Sequence, residues 1–391
     1  MRSPSAGYGR RAAALSALSV LVAGCIAPPP AGTATPSASQ ASATVVPTSP
    51  PTCASEVAAL SVKEQAGQLI MVAVSVTGLT ATERTAIRRS KAGAVILMGT
   101  TYAGVDGVAD LTAELQEVGG GQVLIAVDQE GGLVQRLHGS GFAAMPSAAQ
   151  QAKLTDATLT ARATTWGKAL AEAGVGLDLA PVADVVPSAN KGSNRPVARL
   201  GRGYGSDPAL VSAKVLAFRS GMKAAGVATA VKHFPGLGAV VGNTDFAPRV
   251  VDSTTTADSP LLLPFRDAVA GQADAVMVSS AVYTKIDAKN PAVFSPTVIG
   301  LLRGWGYDQV VISDDLGVAA AVRAVPAKDR AARFVMAGGD LAITVNPRLA
   351  TTFAAGLVAR ADADPGFADT LSAAAIRVFR LKHSLGLVTC S

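Results

Sequence analysis

The chain has 391 residues, 49% of them hydrophobic and 16% charged, enough apolar material for one large barrel or two average domains. Its formal net charge is +6, but the Lys and Arg residues are scattered and aromatics make up only 4%. With no basic block carrying interleaved aromatic side chains, nucleic-acid binding is excluded as a main function.

The N-terminus reads as a targeting segment. Arg2, Arg10 and Arg11 precede the apolar run "AAALSALSVLVAG", which is too short to span a bilayer comfortably. The run ends in "LVAGC", which resembles the bacterial lipobox. That motif implies a signal peptide over residues 1–24 and lipidation of Cys25 as the first mature residue. Residues 26–52 are rich in Pro, Ala, Ser and Thr, with no charge and no period. This stretch cannot bury a core and reads as a linker whose ends lie roughly 30 Å apart. The expected product is an exported lipoprotein, anchored by lipid to a membrane of the cell envelope, with a folded domain over residues 53–391. Cys53 and Cys390 bracket that domain. In a disulfide-permissive compartment, and with domain termini commonly close together, a Cys53–Cys390 disulfide is favoured over two free thiols. Two distant cysteines and three scattered histidines do not compose a metal site.

Eight apolar runs follow: residues 68–74, 93–99, 122–128, 175–185, 227–233, 273–280, 309–315 and 340–345. They alternate with Ala-, Leu- and Arg-rich segments of helical spacing. Continuous apolar runs of this length suit strands buried on both faces of a parallel sheet. Eight strand–helix units predict an α/β fold, a single (β/α)8 TIM-type barrel. The competing open, doubly wound sheet normally shows a Gly-rich nucleotide fingerprint after its first strand, and "VAVSVTGLT" is not one. The tail "AAAIRVFRLKHSLGLV" is amphipathic and reads as a helix closing the barrel, with His383 at the surface.

In such a barrel the chemistry collects at the C-terminal ends of the strands. The third run ends in "DQEGG", with Asp128 and Glu130, and Arg136 follows; the fourth carries Asp184. The fifth ends in Lys232 and His233, and the seventh in Asp314 and Asp315. A charge at a buried strand end is costly unless it is paired or used. Any one of these could cap a helix; acids, Lys, His and Arg at four strand ends are harder to read that way. Two carboxylates among hydrogen-bonding cations suit glycoside hydrolysis.

The segments "DQEGGLVQRLHGSGFAAMPSA", "LAPVADV", "RGYGSDP", "KHFPGLG", "VVISDDL" and "RVFRLKHSLGL" together resemble the bacterial glycoside hydrolase family 3 β-N-acetylglucosaminidases, in the same motif order from about Leu60 to Val388. The resemblance implies a retaining mechanism through a covalent glycosyl-enzyme, with Asp314 as nucleophile. It assigns sugar binding to Asp128, Arg136, Arg202, Lys232 and His233, with Arg199 one short slip away from Arg202. It implies a substrate bearing terminal β-linked GlcNAc, drawn from cell-wall-derived glycosides, no metal or organic cofactor, and a monomer.

Two departures stand out. The family's second motif histidine is Leu237 here, and its Asp-Ser-His acid/base segment is Asn243, Thr244 and Asp245. Three readings follow: Asp245 is a carboxylic acid/base positioned by Asn243; the loop is inactivated and the protein only binds glycans; or another acid such as Asp252 serves. The first leads, because an Asp does this job in many glycosidases, and proximity to Asp314 and to Leu237, Val240, Val241 and Phe246 should raise the pKa of Asp245 toward usefulness. Near Ser280, where the family commonly carries a histidine, "VMVSSAVY" has none. The remaining alternative within enzymes is a β-glycosidase of another sugar specificity.

Overall fold

Eight parallel strands close into a barrel: β1 (Ile70–Ser75), β2 (Ala94–Met98), β3 (Leu124–Val127), β4 (Leu177–Asp178), β5 (Ala228–Phe234), β6 (Ala275–Val278), β7 (Val310–Asp315) and β8 (Leu341–Thr344). The structure, a computed structural model, describes residues 52–391. The lipobox cysteine Cys25, the signal peptide and nearly all of the linker lie outside the described residues. Each strand pairs with the next, and β1 returns to β8 through Ile70 with Ala342 and Val72 with Thr344. That last pairing closes the sheet and excludes the open doubly wound arrangement. The eight apolar runs are the eight strands, buried inside by one another's side chains and outside by a ring of helices.

The fourth run departs from expectation. It is apolar over eleven residues, yet only Leu177 and Asp178 form a ladder. Pro181 lacks the N–H a central strand must donate, so pairing resumes only as a single bridge between Val182 and Lys232. Asp184 therefore stands in a loop beyond the strand.

Two register shifts matter for the site. Between β5 and β6, Lys232 faces Met277 while Phe234 already faces Val278, so His233 is an extra residue. Between β7 and β8, Ile312 faces Leu341 and Asp315 faces Ile343. In a regular strand adjacent side chains point to opposite faces; a bulge re-aims one of them. Both members of Lys232–His233 and of Asp314–Asp315 accordingly line one cleft.

The opposite end of the barrel is sealed by the terminal helix Pro365–Ser384. Asp340, fully buried, accepts from Arg377 Nε and an Arg303 guanidinium nitrogen at 2.8 Å each and from the Val311 N–H at 2.7 Å. This network bolts the helix to the base of β7 and β8. His383 is half-buried rather than on the surface, with Nδ1 3.2 Å from the Val388 carbonyl, because the chain folds back over it toward Cys390.

Cys53 and Cys390 form a disulfide, with 4.7 Å between Cα atoms and a sequence separation of 337. It ties the short helix Ala54–Ala58 to the end of the chain. Closing so long a loop restricts the unfolded chain by up to about 5 kcal/mol in the entropy model, of which about 2–4 kcal/mol is commonly realised. Cys390→Ser should lower the melting temperature by several degrees, measured against the oxidised protein. Identical melting with and without reductant would show that the bridge contributes nothing.

Candidate active site

A cleft of about 530 Å³ opens at the C-terminal ends of the strands, lined by Asp128, Glu130, Arg136, Arg202, Lys232, His233, Asp245, Asp314 and Asp315. Its first wall is the turn after β3. Residues Gln129–Gly131 pair back with Val134–Gln135 in a small hairpin. Asp128 and Glu130, two apart, both face the cleft. Gln129 turns the other way: its side-chain oxygen accepts the Arg136 N–H at 2.9 Å and the Leu137 N–H at 3.1 Å. This fixes the backbone from which Arg136 reaches the cleft. Gly131 sits at φ 94°, where a Cβ would lie 2.3 Å from the Pro146 carbonyl oxygen, so the turn requires glycine.

Lys232 reaches across the barrel. Its ammonium lies 2.6 Å from Asp128 Oδ1 and 2.6 Å from Glu130 Oε1. Arg202 grips the Glu130 carboxylate with two nitrogens, Nε at 2.8 Å and a terminal nitrogen at 2.7 Å, and donates to the Pro196 carbonyl at 2.9 Å. Burial alone would raise the Glu130 carboxyl, but the charges of Arg202 and Lys232 outweigh it and hold the group well below the usual carboxylate range. Burial likewise opposes the charge of Lys232, and Asp128 and Glu130 overcome it and raise its pKa. Arg202, not Arg199, is the arginine brought to the cleft.

His233 is held by Asp184. The imidazole Nδ1 donates to Asp184 Oδ2 at 2.8 Å, while Asp184 Oδ1 accepts the backbone N–H groups of His233 at 3.1 Å and Leu237 at 2.8 Å. One fully buried carboxylate thus sets the ring orientation and the turn that follows, leaving Nε2 toward the cleft. The turn packs so closely on the Asp184 loop that a Cβ on Gly238 would lie 1.8 Å from the Val185 carbonyl oxygen. Asn194, fully buried, clamps the same segment. Its amide nitrogen reaches the carbonyls of Leu237 at 2.7 Å and Val240 at 2.9 Å, and its oxygen accepts from Val197 and Ala198 N–H.

The two acids of β7 differ sharply. Asp315 accepts four backbone N–H bonds, from Gly317 at 2.8 Å, Val318 at 2.7 Å, Ala319 at 2.9 Å and Val345 at 2.9 Å. Its carboxylate is committed to shaping the loop after β7. Asp314 accepts only its neighbour's N–H, at 2.8 Å, and faces the cleft.

Asp245 lies on the loop after β5, exposed at the mouth of the same cleft. Partial burial of the carboxyl, and then the negative charges of Asp314 and Asp315, push its pKa up to about 6. The apolar neighbours expected to do this contribute unequally: Leu237 and Val240 are buried, while Val241 and Phe246 point largely to solvent. Asn243 does not hold the carboxylate; its side-chain oxygen accepts the Asp245 backbone N–H at 2.9 Å. The loop tip is fastened by Ala320 N–H to the Asp245 carbonyl and Ala321 N–H to the Thr244 carbonyl, 3.1 Å each.

Asp252 is not brought to the site. It is buried away from the cleft, and its oxygens accept from Thr254 and Thr255 N–H and both hydroxyls. Ser280 is also buried and does not line the cleft. Conversely, Asp178 was not singled out from sequence. It is fully buried beside Asp128 and accepts the Gln129 N–H at 3.0 Å. Burial pushes its carboxyl up to about 8, against the opposing pull of the Gln129 N–H and the Lys232 charge. Asn194 carried no signal either, being one polar residue in a polar loop.

Residues 61–381 match the family model described as the glycosyl hydrolase family 3 N-terminal domain. A β-hexosaminidase of Stenotrophomonas maltophilia is 36% identical over 294 residues, covering 72% of this chain and 84% of that one. A crystal structure of a β-N-acetylhexosaminidase from Beutenbergia cavernae superposes with a TM-score of 0.81 at 42% identity, covering 83% of this chain and 99% of that one. A family 3 β-N-acetylglucosaminidase from a Paenibacillus species superposes with a TM-score of 0.77 at 30% identity, covering 85% of this chain and 65% of that one.

Proposed function

The chain belongs to glycosyl hydrolase family 3 and is a glycoside hydrolase, and on that footing we propose that it is a retaining β-N-acetylhexosaminidase releasing terminal β-linked GlcNAc from cell-wall-derived glycosides. The observation that carries the reading is the pairing, in one cleft, of a lightly bonded carboxylate, Asp314, with an acid of raised pKa, Asp245. In the first half-reaction the Asp314 carboxylate attacks the anomeric carbon as the glycosidic C–O bond breaks. Asp245 gives its proton to the departing oxygen. A covalent glycosyl-enzyme results. In the second half, the Asp245 carboxylate takes a proton from water, the oxygen adds to the anomeric carbon, and Asp314 leaves. Lys232, Asp128, Arg136 and His233 would hold the sugar's hydroxyls, with Arg202 steadying them through Glu130.

The relatives' names support the acetamido sugar. The test is turnover of p-nitrophenyl-β-GlcNAc against p-nitrophenyl-β-glucoside. Preference for the first supports the proposal; preference for the second shifts it to another β-glycosidase. Turnover of neither would leave a glycan-binding lipoprotein.

We further propose that the mature protein is anchored through lipid on Cys25, at the cell envelope. The support is the "LVAGC" motif and the charge-free linker behind it. Cys25→Ser should release the protein from the membrane fraction while leaving the isolated domain active. Tight membrane association of that variant after signal-peptide removal would contradict the anchor.

A further inference from the structure

Closing the barrel brings more than strand ends together. With β1 beside β8, the helix that follows β1, Ala81–Ser90, packs against the helix that follows β8, Ala350–Ala363. Their side chains do not fill the space between them. Two hollows of about 480 and 720 Å³ remain on the barrel's flank, and Arg89 and Thr351 line both, so the two form one furrow. It runs from Arg348 to Asp362, roughly 20 Å at the helical rise. Its floor is small and apolar, made by Ala354, Ala355, Val358 and Ala359, and it shares no residue with the cleft.

Four cations border the furrow: Arg348 at one end, Arg89 between, and Arg88 and Lys63 at the other. They come from three separate stretches of the chain, so no basic block announces them. All four are exposed, and among the described residues none has a carboxylate within ion-pair distance. Other cations of the same helices are paired: Arg84 with Glu114, and Arg360 with Asp364 at 2.8 Å. Glu64, next to Lys63, is taken up by the Ser61 N–H at 3.0 Å and hydroxyl at 2.7 Å. Among the described residues Asp362 is the one carboxylate lining the furrow, which leaves it strongly positive.

A small anion would meet one or two of these cations, since Arg348 and Lys63 stand at opposite ends. A flat bilayer would touch the rims and leave the apolar floor uncovered. Residues 26–52 of this chain carry no charge to offer, and a second copy, at net +6, is repelled. No aromatic side chain lines the furrow, so nucleic-acid bases find no stacking platform. A narrow, extended chain with a negative group on each repeat meets all four cations at once. Three arginine forks suit phosphate in particular.

We propose that this furrow is a docking groove for one strand of an extended phosphate-bearing polymer. Phosphates of the strand pair with Arg348, Arg89, Arg88 and Lys63, and its backbone covers the apolar floor. The groove lies on the flank and the cleft at the strand ends, so a docked strand leaves the cleft open. This surface goes beyond the glycosidase reading and does not depend on it.

The test measures binding of long-chain inorganic polyphosphate to the whole mature chain, carrying Cys25→Ser so that it stays in solution. Polyphosphate should bind, and orthophosphate at the same phosphate concentration should not. With four contacts, log K should fall against log salt with a slope of about −3. Arg88→Gln with Arg89→Gln should weaken binding roughly 5- to 30-fold. Lys168→Gln with Lys223→Gln removes the same charge from exposed positions on other helices and should change it by less than about 2-fold. Equal losses in the two double variants would overturn the proposal in favour of diffuse attraction by net charge. Equal binding of orthophosphate would overturn it by making the furrow a small-anion site. Binding to phosphatidylglycerol vesicles without binding to polyphosphate would overturn it by making the flank a membrane contact. Turnover of p-nitrophenyl-β-GlcNAc should be the same in all these variants. A chain that binds polyphosphate in the expected pattern but turns over no glycoside would end the glycosidase reading and leave the groove standing.

Discussion

Asp314→Asn or Asp314→Ala should abolish hydrolysis of every glycoside, activated or not, lowering it by about 10,000-fold or more. The proposed nucleophile is needed whatever the leaving group, since without it no glycosyl-enzyme forms. A 2-fluoro glycoside with a good leaving group should label Asp314, because the fluorine slows hydrolysis of the covalent intermediate. The adjacent Asp315 is the natural rival. Its carboxylate, however, accepts four backbone N–H bonds from the loops after β7 and β8. Replacing it should unfold those loops, lowering the melting temperature along with activity, whereas Asp314→Asn should leave melting close to wild type. Labelling at Asp315 would reverse the assignment.

Asp245→Ala should separate substrates by how badly the leaving oxygen needs a proton. Nitrophenolate departs as a stable anion, so loss of the acid should slow glycosylation little. A sugar alkoxide does not, and the loss on a GlcNAc disaccharide should reach roughly 100- to 10,000-fold. The pH dependence has a definite sign. Asp245 must be protonated to give its proton away, and its pKa is pushed up to about 6. For the wild-type enzyme, kcat/KM on the disaccharide should therefore fall above about pH 6. That limb should vanish in Asp245→Ala. Added azide should partly rescue the variant, since a small anion can replace water without a general base. An anionic Asp245 base would also repel phosphate, so added phosphate should raise the rate little. Equal losses on both substrates, with no rescue, would leave Asp245 as a loop-positioning residue. Asp252 could not then take over, because Thr254 and Thr255 occupy its oxygens.

Much of this was legible because it is local. A strand buried on both faces must be apolar along its length, so eight apolar runs announce eight strands without reference to one another. Charged residues at the ends of such runs are conspicuous, since burial penalises them unless they are used. That reasoning reached Asp128, Lys232, His233 and Asp314. It could not rank Asp314 over Asp315, which are the same residue type on the same strand end. The backbone N–H groups that separate them belong to residues 317–319 and 345. Nor could it rank Arg202 over Arg199, because the deciding partner, Glu130, lies 72 residues earlier.

The sequence by itself determined the barrel's strand count, the chemistry gathered at its rim, and the two cysteines at the ends of the domain, because periodicity and residue type act within a few positions of the chain. Only the tertiary structure decided which charge meets which. Lys232 finds Asp128 across 104 residues, and His233 is turned by Asp184 across 49. Asn194 clamps the loop after β5 across more than 40. Closure of β1 on β8 brings these distant strand ends to one mouth. The potential at that mouth is a sum over groups whose spacing in space has no counterpart in their spacing along the chain; the upward direction for Asp245 was legible, but only the closed barrel showed that burial leads, that Asp315 adds to Asp314, and that Val241 and Phe246 face solvent.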